Sequence, residues 1–217
     1  MNLEQLITHT RNNVLRDGAE PHLWGDEELT LYFNQAEQLF ARRTHCLIAE
    51  DGPLSELSLL QGEQAYALHP KTVAIIAVYD NLGTIMRDVS RGKVKTRWMS
   101  GRPTAYSTDA AVKTIRFVPT PDDDYEVSMV VAHKPLNDLA NPSDTPSIPE
   151  EYHLHLCDYV AYMALRNNDP EQTQMAAADM FRDQWEECVR EAKRELHLLR
   201  NGANPRAVRS WTGKYQR

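Results

Sequence analysis

The sequence predicts an α+β fold: a helical bundle made from the N- and C-terminal helices, with an antiparallel β domain inserted between them. Three observations predict it. Helical periodicity occupies both ends of the 217-residue chain and disappears from its middle. That middle carries short runs of branched and aromatic residues separated by turn signals. A stretch punctuated by Pro142, Pro146 and Pro149 then leads back into helical pattern.

The elements follow in order. In residues 2–15, Leu3, Leu6, Ile7, Thr10 and Val14 recur at helical spacing, so a first amphipathic helix is expected, closed by Arg16-Asp17-Gly18 and stopped before Pro21. Trp24 sits in the next turn as an aromatic anchor. Asp26, Glu27 and Glu28 then suit the positive end of a helix dipole and start a second helix over about residues 26–46. Leu29, Tyr32, Phe33, Ala36, Leu39 and Phe40 form one stripe of that helix, which reads as packed core.

Between 55 and 134 strands are expected over 56–60, 64–68, 72–79, 84–87, 104–107, 112–118 and 126–133. Residues 80–83 and 121–124 have hairpin-turn composition, and 137–149 reads as an extended linker. A third helix over 150–167 buries Leu156, Tyr159, Val160 and Met163. Asn168-Asp169-Pro170 breaks it from a long last helix over about 170–201, whose inward row is Ala178, Phe181, Trp185, Cys188, Ala192, Glu195/Leu196 and Leu199. Gly202 and Pro205 end that helix. The expected organisation is therefore 1–48 plus 149–201 as the bundle, 49–148 as the β domain and linker, and 202–217 as a basic extension. No internal repeat of solenoid length is visible.

Charge is unevenly spread. The net charge is −7, yet Arg206, Arg209, Lys214 and Arg217 lie in an end segment without acids, leaving 20 basic against 31 acidic residues elsewhere, a balance of −11. Such a body repels phosphate, so contact with duplex DNA is expected to be passing. The longest apolar run, 73–79, is far short of the roughly 20 residues of a membrane span, and neither a secretory signal nor membrane contact is expected. Cys46, Cys157 and Cys188 are odd in number and widely spaced, which argues against a disulfide framework and for a reducing cytoplasm as the place of synthesis.

Catalytic constellations are sparse. His153 and His155 invite a metal reading with Cys157 and Asp158, but residues two apart on a helix point to different faces, so only His153 and Cys157 share one. The histidines are expected at a surface or subunit contact instead. Asp122-Asp123-Asp124 lacks the interleaved spacing of a calcium loop and reads as a solvated tip. No Gly-rich phosphate cradle or Gly-x-Ser-x-Gly elbow occurs, so no enzyme activity, cofactor or metal is expected. Trp98 and Trp211 each stand beside cations in turn-rich stretches, as protein-contact anchors do.

The series Pro21-His22-Leu23-Trp24, Asp26-Glu27-Glu28-Leu29, Asn34-Gln35-Ala36 and Gly62-Glu63-Gln64-Ala65-Tyr66-Ala67-Leu68-His69-Pro70-Lys71-Thr72-Val73 continues through Trp98 with Gly101-Arg102-Pro103-Thr104-Ala105-Tyr106. It ends with Ile115-Arg116-Phe117-Val118-Pro119-Thr120-Pro121 and Ile148-Pro149-Glu150-Glu151-Tyr152-His153. This order resembles the head–tail adaptor, or connector, proteins of tailed bacteriophages, over most of residues 20–155. The resemblance implies a structural virion protein of the neck: a ring, commonly of twelve copies, docked under the portal, joined to a tail or nozzle protein, and open to DNA during ejection. On this reading Arg206, Arg209, Trp211, Lys214, Tyr215 and Arg217 form a portal-binding arm, and Trp98 and Arg102 contact a subunit or the tail. Two other classes remain in view. One is a DNA-contacting packaging or regulatory factor using the basic arm; the other is a small hydrolase using His133, His153, His155 and the Asp-rich turn.

Overall fold

The computed structural model describes residues 1–90, 99–109, 113–168 and 172–201. Helices from the two ends of the chain flank a β region, the α+β arrangement expected. Helix α1 (Leu3–His9) opens with a capping box, in which Asn2 Oδ1 accepts the Gln5 amide at 2.9 Å and Gln5 Oε1 accepts the Asn2 amide at 3.1 Å. Beyond it the chain does not continue as the uniform α-helix expected over 2–15. Residues Thr10–Leu15 widen into a π-helical segment that ends at Arg16, in the left-handed region with φ 55°. Thr10 and Arg11, at its start, both face inward.

Three acceptors meet Arg11 there. Its Nη1 donates to Asp17 Oδ2 at 3.0 Å, and its Nη2 donates to the Trp24 carbonyl at 2.6 Å and to Asp26 Oδ1 at 2.7 Å. Asp17 also accepts the Leu23 amide at 2.9 Å, which fixes the loop between the helices. Trp24 is thereby held in the core, where its indole Nε1 donates to the Ala164 carbonyl on α3 (His153–Asn168) at 3.2 Å.

Helix α2 (Asp26–Thr44) buries Leu29, Tyr32, Phe33, Ala36 and Phe40 as its stripe predicts, with Leu39 only half-buried. Glu37, absent from that stripe, is 1% exposed. Its carboxylate accepts the Ser147 amide, and burial pushes its pKa above the ordinary glutamate value. Nearby Asn34 exchanges two hydrogen bonds with the Leu139 backbone, at 2.9 and 2.7 Å. On α1, the Leu3 and Glu4 amides donate to the Asp144 and Pro142 carbonyls at 2.8 and 3.0 Å, satisfying orphan donors of the first turn. The stretch read as an extended linker is fastened as a strap on the helices, and its Leu139 and Ile148 belong to the helical core.

A short 3₁₀ turn (Glu150–Tyr152) leads into α3, and α4 runs over Gln172–Asn201. Trp185 packs between Phe40 and Tyr159, with ring centroids 5.8 and 5.3 Å away. Ala178, Cys188 and Ala192 are buried as expected, joined by Val189. Leu199, placed in the inward row by its spacing, is 74% exposed, because the last turns of α4 extend beyond the core. Arg43 on α2 holds Glu186 on α4 through two 2.6 Å hydrogen bonds.

Among the described residues the β region forms two four-stranded sheets. In the first, β8 (Tyr125–His133) pairs with β4 (Thr72–Asp80) on one side and with β1 (Ile48–Ala49) and β2 (Glu56–Leu59) on the other. In the second, the order is β3 (Ala65–Ala67), β7 (Thr114–Val118), β6 (Ala105–Asp109) and β5 (Arg87–Asp88). All named pairs are antiparallel except β5 with β6, which is parallel and departs from the uniformly antiparallel expectation. Residues 121–124 are not a hairpin, since β7 and β8 lie in different sheets and the turn carries the chain across. Residues 80–83 do form a tight turn, with the Gly83 amide on the Asp80 carbonyl at 2.9 Å and Gly83 at φ 75°, where a side chain would be strained. Leu59, Val78, Ile115, Phe117 and Val131 fill the space between the sheets.

Two stability outcomes follow from these buried charges. Arg11→Ala leaves Asp17 buried without its cation, so a loss of about 3–5 kcal/mol is expected in denaturant titration. Glu37→Gln keeps an acceptor for Ser147 without a buried charge, whereas Glu37→Ala strands the amide and is expected to cost about 1–3 kcal/mol. Because the folded pKa of Glu37 is raised, its stabilising contribution is full below the ordinary glutamate pKa and is lost as pH rises through the folded value. Thermal melts of Glu37→Gln from pH 4 to 7 should lack that decline.

Candidate functional site

Strand register gathers one set of loops at the end of the β region farthest from the helices. Leu59 lies opposite Tyr125 at the start of β8, Asp80 opposite Val127, and Ala105 opposite Val118. The segments after Leu59, after Asp80, before Ala105 and after Val118 therefore meet there. The other end of β8 faces the bundle, with the His133 amide donating to the Leu47 carbonyl at 3.1 Å. Leu60, Leu82, Ile85 and Met99, exposed by 53, 72, 64 and 61%, all belong to this distal end. Apolar side chains held out on ordered loops are the usual material of a protein contact.

Arg102, nominated from the sequence, stands in the same place. It is half-exposed, its Nη2 donates to Asp80 Oδ2 at 3.0 Å and Asn81 Oδ1 at 2.7 Å, and its guanidinium lies 6.0 Å from the Tyr125 ring centroid. Asp80 in turn accepts the Leu82 and Thr84 amides at 3.0 and 2.7 Å. The Thr84 amide above all, then Leu82 and Arg102, hold its carboxyl below the ordinary aspartate range. The arrangement presents Leu82 rigidly. An apolar residue at the centre of Asp80-Asn81-Leu82-Gly83 was the sequence signal for this surface, since such turns ordinarily carry polar residues. Trp98 lies outside the described residues, as do Arg206, Arg209, Trp211, Lys214, Tyr215 and Arg217. The helix leading to that arm ends near the C-terminus of α2, where Arg200 Nη2 donates to the His45 carbonyl at 2.5 Å.

The residues weighed for chemistry are scattered. His153 is buried, not at a surface, with Nε2 2.9 Å from the Ile148 carbonyl and Nδ1 3.0 Å from the Met1 amino group. His155 is exposed on the other face, 3.5 Å from Asp158. His133 Nδ1 lies 2.7 Å from the Lys134 carbonyl. In the Asp-rich turn Asp122 accepts the Tyr125 hydroxyl at 2.7 Å and Asp124 the Gln61 amide at 2.9 Å. Burial pushes the Cys157 and Cys188 thiols up to about 11 and about 12, which leaves little thiolate for nucleophilic work. Among the described residues, no group of three or more His, Cys, Asp or Glu is placed to hold a metal ion, and no helix is long and apolar enough to cross a membrane.

Residues 1–209 match the protein family described as SU10 adaptor protein. No curated protein matches the chain.

Asp80→Ala removes the acceptor for both turn amides. Hydrogen exchange at Leu82 and Thr84 is expected to quicken by about tenfold while the core strands keep their protection.

Proposed function

Because the chain belongs to the SU10 adaptor protein family, a family of bacteriophage structural adaptors, we propose that it is the head-to-tail adaptor of a tailed phage. In this reading copies of the chain, twelve by resemblance to the head–tail adaptors, form a ring in the virion neck beneath the portal and join it to a tail or nozzle protein. The family match over residues 1–209 carries the proposal.

The physical features support particular roles. A ring needs heterologous contacts, one face of each subunit against a different face of the next. The helical block, with its aromatic core and its strap, is stiff enough to serve as the wall. The distal β end with Leu82, Ile85, Met99 and Arg102, and with Trp98 adjoining in sequence, then contacts a neighbour or the tail. The acidic excess of the body surrounds the channel with negative potential, so duplex DNA slides through without adhering. Arg206, Arg209, Trp211, Lys214, Tyr215 and Arg217 dock in the portal as the arm orders, a late coupled-folding step. Catalysis plays no part in this role.

Deleting residues 203–217 is expected to abolish co-sedimentation with portal rings while the shortened chain still folds and melts in one cooperative transition; normal portal binding by the shortened chain would overturn the arm assignment. The competing reading, a DNA-contacting packaging or regulatory factor, requires tight duplex binding with a steep salt dependence. Fluorescence anisotropy across about 50–200 mM salt decides between them, with negligible affinity expected.

A further inference from the structure

Helix α1 with Arg11 behind it, the start of α2 and the strap enclose an open cleft of about 610 Å³ that no role above uses. Its floor is apolar, formed by half-buried Ile7 over buried Leu3, and exposed Pro142 of the strap closes one side. Its rim is acidic. Asp26 is engaged by Arg11, but Glu4 and Glu27 are exposed and have no ion-pair partner among the described residues. Arg11, at the base, has its guanidinium occupied by Asp17, Asp26 and the Trp24 carbonyl, so it offsets little of the rim charge.

We propose that this cleft is the resting site of the chain's own residues 202–217, held there by the acidic rim and the apolar floor when no portal is present. The segment is complementary in both respects: four cations and no acids, with Trp211 and Tyr215 to cover Ile7 and Pro142. Length allows it. The described chain stops at Asn201 near the C-terminal end of α2, while the cleft lies at that helix's N-terminal end; 19 helical residues separate the two by about 28 Å. Ten extended residues from Asn201 reach Trp211 over about 33–36 Å, and fourteen reach Tyr215 over about 46–50 Å. The span to Trp211 leaves little slack, which places the aromatic residues and not the earlier arginines on the floor. Arg206 and Arg209 then run along the exposed length of the block, and Lys214 meets Glu4 or Glu27. The arm thus has an occupied state inside the free subunit as well as the portal-bound state of the proposed function, and a portal must displace it.

Photocrosslinking in the full chain tests this. Trp211→benzoylphenylalanine protein, irradiated as an equal mixture of ¹⁴N- and ¹⁵N-labelled chains, is digested and read by mass spectrometry. Crosslinks to residues 3–11, 26–30 or 140–142 within a single isotope class are expected. Their yield should fall about fivefold or more on Glu27→Lys, and equally on Lys214→Glu, which alters only the arm and leaves the folded block untouched. Crosslinks elsewhere, crosslinks only between isotope classes, or a yield indifferent to both substitutions would overturn it. The portal test of the 203–217 deletion is independent of this outcome, so failure of one reading is distinguishable from failure of the other.

Discussion

A buried guanidinium organises the protein. Arg11 reaches inward from the widened turn at Thr10–Leu15, and once there it must be matched, since an uncompensated interior charge is among the costliest defects a fold can carry. Asp17 and the Trp24 carbonyl, from the loop before α2, and Asp26, the first residue of α2, provide the match. Ordering that loop sets the direction of α2 and seats Trp24 against Ala164 on α3, joining the N-terminal helices to the C-terminal pair across 140 residues of sequence. The aromatic core around Phe40 and Trp185 then has fixed walls.

The β region sits in this block as an insertion for an equally simple reason. β1 leaves the end of α2 and pairs antiparallel with the end of β8, Ile48 opposite Ala132, so the chain enters and leaves the sheets side by side. On its return it does not float. Asn34 and Glu37 fasten it along α2, and the first amides of α1 fasten it along the N-terminus. The sheets are thereby cantilevered from a braced base, with Leu82, Ile85 and Met99 at the free end. A platform of this kind suits an adaptor, which must transmit contacts from one partner to another without deforming.

Much of this could be read directly from the residues. The stripes of α2 and α3, the return of helical periodicity after Pro149 and most strand positions follow from burial at a fixed period, and burial is what composition records best. The misses share a cause. Arg11 and Glu37 are polar at positions where a pattern of apolar residues registers nothing, and their partners are backbone groups and distant carboxylates. Asp122-Asp123-Asp124 has the chemistry of a turn whether it joins strands within a sheet or across two, so the division into sheets was not legible. Leu199 kept the helical period after its helix had left the core, and Val189 lay beside the row the spacing selected. For the proposed contact surface, Arg102 was nominated from its sequence neighbours, while Leu82, Ile85 and Met99 stand together only through strand register.

The central claim is that the two ends of the chain are one cooperative block, closed by the Arg11 network and the strap. Native-state hydrogen exchange across a denaturant series measures this directly. Amides of Leu6 to His9, of α2 and of α3 should converge on a single opening free energy equal to that of global unfolding. If the α1 amides instead open locally, several kcal/mol below those of α3 and without dependence on denaturant, the N-terminal segment is an appendage and the account is wrong.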